Sequence, residues 1–369
     1  MNISSFHSGG RILIRGLKMT GTIIVSPDKL RNFCTELLMM EKMSREDAFV
    51  TADNLVDADL SGIESHGVSR ITNYMKRLRT GVVAHSGGPV ILNERAASLA
   101  IDGNNQMGMV SGKFAMEKCI EKAKASGSCF ATVCHSNHFG TASYYSRMAA
   151  EKGCIGITGT NAPPNIAPWG SSQKFMGTNP IAISTPTFTD PITLDMAPSV
   201  VAMGKIILAA KLGKTIPEGW VLDPDGNPTT DPVVGQYGTL IPIGGPKGSG
   251  IAIFMEILCG ILSGAQYGPH INHFWKDFEN PQDVGHFFCA IDISAFIDYE
   301  TYLQRLDGFV KEIKSLPLSK GASQIFMPGE PEVLKRKARM ENGIEMSANV
   351  YEELQALADQ YGLKLDITR

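Results

Sequence analysis

Apolar residues fall at helical spacing near the start of the chain. Leu30, Phe33, Leu37 and Met40 share one face, and Ser26 followed by Pro27 supplies a hydroxyl cap and a preset first turn. Ser44, with Asp47 three residues on, opens a second helix through Ala52, Leu55 and Val56. A third is expected from near Gly67 to Gly81, carrying Ile71, Tyr74, Met75 and Leu78. The texture then changes to short β-rich runs alternating with helices. Strands are expected at 98–101, 130–133, 155–160, 181–185, 192–194 and 287–293. Helices are expected at 110–126, 141–152, 200–212, 249–263, 301–315, 332–341 and 348–361. This is the pattern of a mixed α/β protein. The stretch 213–245, rich in Pro, Gly, Asp and Thr, is long enough for a lid or an edge excursion.

Length and composition narrow the class. A chain of 369 residues, 43% hydrophobic and 19% charged, can bury a large core or form two domains. With 34 basic and 37 acidic residues, it has no basic excess to recruit nucleic acid or an anionic membrane. The longest apolar run, 251–262, is interrupted by Glu256 and falls short of the roughly 20 residues that span a bilayer. Arg11, Arg15 and Lys18 break up any secretory core, so residues 1–18 are expected to be an extension or an over-called start. The seven cysteines are odd in number, and no Cys-x-x-Cys occurs. They read as reduced, mostly buried thiols of a cytosolic protein.

The common enzyme fingerprints are missing. There is no Gly-x-Gly-x-x-Gly and no His-Glu-x-x-His; a P-loop would need Gly at Leu208, and a nucleophile elbow would need Gly at Lys247. Three other segments can carry chemistry. In Ser65-His66-Gly67-Val68-Ser69-Arg70, a helix starting here would bring His66, Arg70 and Tyr74 onto one face. Arginine offers a fork to a carboxylate and histidine moves a proton near neutral pH; the plainer reading is a cap and a surface ion pair. His135-Ser136-Asn137-His138-Phe139-Gly140 follows a strand, so His138 is a candidate acid/base with Asn137 beside it, or else the segment is an ordinary turn. Cys134-His135-x-x-His138 lacks a spaced second half, and no metal is expected. Gly244 to Gly250 joins glycines to Lys247 at a helix start, a weak phosphate-binding pattern.

Further strings join these in a fixed order. They are Ala58-Asp59-Leu60-Ser61-Gly62-Ile63-Glu64-Ser65-His66-Gly67-Val68, Ser136-Asn137-His138-Phe139-Gly140, Ala167-Pro168-Trp169-Gly170, Gly177-Thr178-Asn179-Pro180, and Leu194-Asp195-Met196-Ala197 with Gly204-Lys205. Ile216-Pro217-Glu218-Gly219-Trp220, Pro228-Thr229-Thr230-Asp231-Pro232, Lys247-Gly248-Ser249-Gly250 and Pro328-Gly329-Glu330 complete the set. Together they resemble the malate/L-lactate dehydrogenase family, which includes ureidoglycolate dehydrogenase, sulfolactate dehydrogenase and diketogulonate reductase.

The resemblance implies a non-Rossmann mixed-sheet nicotinamide-binding domain, which accounts for the missing glycine fingerprint. That domain would span 98–329, and a helical domain would be built from 19–97 plus 330–369. It implies an NAD- or NADP-dependent oxidoreductase acting at C2 of a small 2-hydroxy or 2-oxo acid, working as a cytoplasmic homodimer. Ureidoglycolate, sulfolactate, a cyclic imine acid, or coenzyme binding without turnover are the alternatives. His66 and His138 would be the proton-transfer residues, in either assignment, with His138 favoured because it follows a strand. Ser65, Arg70, Tyr74, Asn137, Thr178 and Asn179 would line the substrate site. Asp195, Met196, Ala197, Lys247, Gly329 and Glu330 would contact the coenzyme. Pro198 and Met203 stand where the family commonly has Thr and Arg, so the choice between NAD and NADP stays open.

Overall fold

The computed structural model describes residues 21–369, and the extension expected at residues 1–18 lies outside the described residues. A short strand β1 (Thr22–Val25) leads into α1 (Pro27–Met40), where Ser26 accepts the Lys29 N–H and Pro27 opens the first turn. In α2 (Arg45–Leu60) the Ser44 hydroxyl accepts the Asp47 N–H at 3.1 Å. The third expected helix begins late. Glu64–His66 and Val68–Arg70 are two 3₁₀ turns, and α3 covers Ile71–Arg79 alone. Gly67 between the turns is extended and lies against Asp59, whose carboxylate accepts the Val68 N–H at 3.0 Å. A Cβ at position 67 would collide with that carboxylate, so only glycine admits the close approach, and the bond from Val68 to Asp59 holds the chain in a bend here. His66 and Arg70 therefore do not share a helical face with Tyr74.

The body of the protein follows. β2 (Val90–Arg95) and β3 (Ser98–Asp102) form a hairpin, α4 (Gly108–Ser126) crosses to β4 (Ser128–Ser136), and α5 (Ala142–Glu151) leads to β5 (Cys154–Thr160). β6 (Ile181–Thr185) and β7 (Ile192–Met196) come next, then α6 (Met203–Lys211). The 213–245 stretch carries a small separate hairpin, β8 (Val221–Leu222) and β9 (Thr239–Leu240), with the short α7 (Pro232–Gly235) between them, and buries Ile216, Val221 and Leu240 with Ile206 and Ala252. α8 (Pro246–Glu256) runs into a π-helical turn at Ile257–Ile261 and on to β10 (Val284–Asp292). α9 (Tyr299–Lys314), α10 (Glu330–Asn342), β11 (Ile344–Ser347) and α11 (Ala348–Tyr361) end the chain.

Seven strands make one mixed sheet in the order β2-β3-β4-β10-β5-β6-β7. Only β3 and β4 run parallel, as the α4 crossover between them requires; the other neighbours are antiparallel. α4 and α5 cover one face of the sheet, burying Met116, Ile120, Tyr145, Phe139 and Phe288 among the strands. A second core joins both ends of the chain: Leu30, Leu37, Leu55, Tyr74 and Met75 pack with Ile344, Leu354 and Leu357. β1 pairs with β11 and closes that layer. The expected mixed α/β class holds, and the cleft lies where the helical layer meets the exits of β4, β5 and β7.

Candidate active site

A cleft of about 1420 Å³ is lined by Ser65, His66, Arg70, His138, Thr178, Asp195, Met196, Ala197 and Gly329 among others. Residues more than 260 positions apart in the chain thus meet in one cavity. Two groups of charged or titratable side chains face it.

The first group is built on the 3₁₀ turns and the β4 exit. Arg70 donates through Nε to the Ser65 carbonyl, and its guanidinium lies 5.2 Å from the Trp275 ring centroid and 5.7 Å from that of Phe274. No acidic side chain pairs with it among the described residues. Ser65 Oγ is 3.0 Å from His66 Nδ1, and the His66 and His138 rings stack with centroids 5.7 Å apart. Burial, then the Arg70 charge, pushes His66 down to about 3 and holds His138 well below the ordinary histidine range. Both rings are neutral at physiological pH.

Tyr74 is fully buried and stands behind His138, its hydroxyl 2.6 Å from Nδ1. The Gly140 N–H, which can only donate, reaches the same nitrogen at 3.3 Å. Nδ1 is then the acceptor of both bonds, and this pattern assigns the ring proton to Nε2. The His138 N–H in turn donates to Gln282 Oε1 at 2.9 Å, which fixes the backbone of the loop. His138 is thus held as a neutral N–H donor.

Two of the expected substrate residues are committed elsewhere. Asn137 is buried and donates to the Asn105 and Gln106 carbonyls, tying the β4 exit to the start of α4. Asn179, with no exposed surface, donates to Glu256 and to the Ala252 carbonyl. Thr178 beside it does line the cleft. Cys134 and His135 gather with Asp102 outside the cleft, where His135 Nδ1 lies 3.0 Å from Asp102; His138 is no part of that trio.

The second group lies along β7, α5 and α10. Asp195 opens to the cleft and accepts the Ser143 N–H at 3.0 Å, tethering the edge strand to the first turn of α5. Desolvation raises its pKa against that hydrogen bond. Arg147 and Arg336 both close on the buried Asp57. The first turns of α6 and α10 also face the cleft through Met203, Gly204, Gly329 and Pro331, with no side chain capping either helix. In α6 the Met203 and Gly204 amides and the open space at Gly204 suit the diphosphate of a dinucleotide, whereas the first turn of α10 carries Pro331, Glu330 and Glu332; the cavity is large enough for a dinucleotide beside a small acid. Lys247 is exposed and outside the lining; Glu330 pairs with Lys314 and caps Met327 N–H, leaving Gly329 to face the cleft.

Sequence reasoning passed over Phe274, Trp275, Gln282, Arg147 and Arg336, all of which line the cleft. Phe274 and Trp275 had a signal: an aromatic run through 270–278 inside an otherwise polar loop. Of the histidines set aside as surface or packing residues, His273 reaches the cleft, while His286 is buried between Ser136 and Thr160.

A sequence model described as malate/L-lactate dehydrogenase matches residues 25–355. The chain is 38% identical over 346 residues to malate/(S)-sulfolactate dehydrogenase of Methanothermus fervidus, covering 93% of this chain and 99% of that one. It is 30% identical over 331 residues to ureidoglycolate dehydrogenase (NAD(+)) of Escherichia coli K12, covering 89% and 94%. The solved structure of malate dehydrogenase from Pyrococcus horikoshii OT3 superposes with a TM-score of 0.85 at 36% identity, over 95% of this chain and 99% of that one.

Proposed function

The chain belongs to the malate/L-lactate dehydrogenase family, and on that footing we propose that it is an NAD- or NADP-dependent oxidoreductase interconverting a small 2-hydroxy acid and its 2-oxo acid, with malate-like acids as substrates. The observation that carries the reading is Arg70: a guanidinium without an acidic partner beside two neutral histidines. Such a cation takes the substrate carboxylate in a fork, and the Phe274 and Trp275 rings beneath it keep it pointed at the cleft. Lys174 and Lys276 also line the cleft and offer cations for a second acidic group, which favours malate-like over lactate-like acids. The higher identity to the malate/sulfolactate relative than to the ureidoglycolate relative points the same way.

Asp195, Met196, Ala197, Gly329 and the opening turn of α6 would hold the coenzyme. Bound nicotinamide supplies or takes the hydride at the substrate C2. In the reducing direction His138 Nε2–H donates to the oxo oxygen and gives up its proton as negative charge builds there. The proton that leaves Nε2 is replaced there from water in the cleft, while Tyr74 Oη–H, 2.6 Å away and kept protonated by burial, holds Nδ1 and so the orientation of the ring. His66, aligned by Ser65, orients the acid. The oxidising direction reverses these transfers.

The working unit we propose is a homodimer. α8 and its continuation expose Ile251, Phe254, Ile257, Ile261 and Leu262, a run of large apolar side chains on one element that supports burial against a second copy. A cytoplasmic setting is supported by seven unpaired, buried cysteines, and no helix among the described residues is long and apolar enough to cross a membrane.

The reading is tested by following the near-ultraviolet absorbance of NADH and NADPH with purified protein and oxaloacetate, pyruvate and a cyclic imine acid. Oxidation fastest with oxaloacetate is the expected result. Coenzyme binding with no turnover on any acid would leave a binding protein in its place.

A further inference from the structure

Glu256 is the charged residue inside the long apolar run, and it is 6% exposed. It ends α8 at the start of the π-helical turn, a widening that often marks a functional position. Its carboxylate receives four N–H donors. Oε1 accepts from Asn179 Nδ2 at 2.9 Å and from the Gly177 N–H at 3.4 Å; Oε2 accepts from the Gly268 N–H at 3.2 Å and from Asn161 Nδ2 at 3.3 Å. No lysine, arginine or histidine pairs with it among the described residues. A buried carboxylate without a counter-ion is an expensive way to hold two loops together, because neutral groups could do so with less desolvation.

What it holds is the floor of the cleft. Asn161 lines the cleft, and its Oδ1 accepts the Gly285 N–H at 2.9 Å while Nδ2 also donates to the Gln266 carbonyl at 2.8 Å. Asn179 Oδ1 accepts the Ala162 N–H at 3.1 Å, and Ala162 lines the cleft as well. Asn179 has a φ of 36°, a left-handed conformation that a residue with a Cβ adopts only under constraint. Thr178, between Asn179 and Gly177, has its backbone fixed from both sides.

We propose that Glu256 is a positioning residue of the dehydrogenase site, its carboxylate holding Asn161, Ala162 and Thr178 at the spacing that receives coenzyme and acid. The proposal rests on the dehydrogenase reading. It gives Asn179 the part of a strut behind the cleft wall.

The test is Glu256→Gln in the full chain, with Asn161→Ser as a second variant that removes one arm. The glutamine keeps the shape, but its NH₂ faces donors, so one side of the network becomes repulsive. KM for the coenzyme and for the acid should rise about tenfold or more, while the pH profile of kcat stays that of the wild type because the histidine pair is untouched. Asn161→Ser should move KM in the same direction by less. Wild-type KM values in both variants overturn the proposal, and so does a lowered melting temperature with wild-type KM in the folded fraction. If Glu256→Gln does not fold, Asn161→Ser decides alone by the same readings. If the wild type binds NADH but turns over no acid, the dehydrogenase reading fails separately, and NADH affinity then decides the proposal: weakened in the variants it stands, unchanged it falls. A wild type that binds neither coenzyme overturns both.

Discussion

Arg70 and Arg147 both reach the same cleft, yet they end in opposite surroundings. Arg147 closes on Asp57, a carboxylate that Arg336 also grips from α10, and the three form a compact ion cluster. Arg70 rests on Phe274 and Trp275, faces two neutral histidines and has no acid among the described residues. The first arrangement ties α2 to α5 and α10 and stabilises the fold. The second leaves a desolvated cation without an anion, which gains most when a ligand brings one. Pairing thus sets Arg147 apart from Arg70, the arginine we propose as the one that binds the acid.

Replacing each arginine should show the difference most strongly. Arg70→Ala is expected to lower kcat/KM for the 2-oxo acid by about a thousandfold, the scale of losing a buried charge-assisted partner, with the melting temperature almost unchanged. Arg147→Ala should reverse the pattern, with stability falling by about 3 kcal/mol in urea unfolding as a buried partner is lost, and kcat/KM staying within a few-fold. If Arg147→Ala abolished turnover while leaving stability intact, the division between the two groups would be lost.

Within the first group, His138→Asn and His66→Asn sharpen the assignment. His138→Asn is expected to reduce kcat by two to three orders of magnitude with coenzyme affinity unchanged, the usual scale for a general acid. His66→Asn should act mainly on KM for the acid, by roughly tenfold, because it orients and does not deliver the proton. Equal or reversed effects on kcat would move the donor to His66, with Ser65 as its partner at 3.0 Å.

How legible these features are in the sequence follows from where their determinants lie. The helix starts at Ser26 and Ser44 are local, hydroxyl and turn within a few residues, and the structure has both caps. The break at Gly67 is not local. It depends on Asp59 reaching the Val68 N–H from the end of α2, so a run that reads as one helix becomes two tight turns. β2 went unread because it is an edge strand with Val90 and Leu92 exposed, leaving no alternation to detect. β1 and β11 pair across more than 300 residues; one is a run of β-branched residues and the other alternates apolar and polar, but at four residues each is too short to read without its partner. At the site, His66, His138 and Asp195 are carried by the ordered strings of the family resemblance, and Arg70 follows the first string two positions after Val68. The roles of Asn137, Asn179 and Glu256 depend on partners that only the fold brings together. A string of residues can identify a loop; which of its side chains turns into the cleft is decided by packing.

The smallest effect expected is on stability against acid, and it extends the comparison below the cleft. His286 lies in the sheet behind His138, with no exposed surface, Nδ1 2.8 Å from Thr160 Oγ1 and Nε2 2.7 Å from Ser136 Oγ. Burial pushes it down to about 3, so the region around Arg70 is short of protons as well as of acids. Below about pH 6.5 the unfolded chain takes up a proton that the folded His286 refuses, and falling pH favours unfolding until the folded pKa is reached. Asp59 works against this: raised to about 7 by burial, it keeps a proton in the folded chain that an unfolded carboxylate releases, so its contribution grows as pH falls. Because His66, His138 and Asp59 titrate in both proteins, the difference between wild type and His286→Gln isolates one histidine. The variant should start less stable at neutral pH, through the lost Ser136 and Thr160 bonds, and then lose stability more slowly on acidification. Wild type and variant should converge as pH falls from about 6.5 to 5, at about 0.7 kcal/mol per pH unit at first and approaching about 1.4 near pH 5, measured by urea unfolding. Parallel curves would mean that His286 accepts its proton in the folded state, and the charge-poor surroundings of Arg70 would then end at His138.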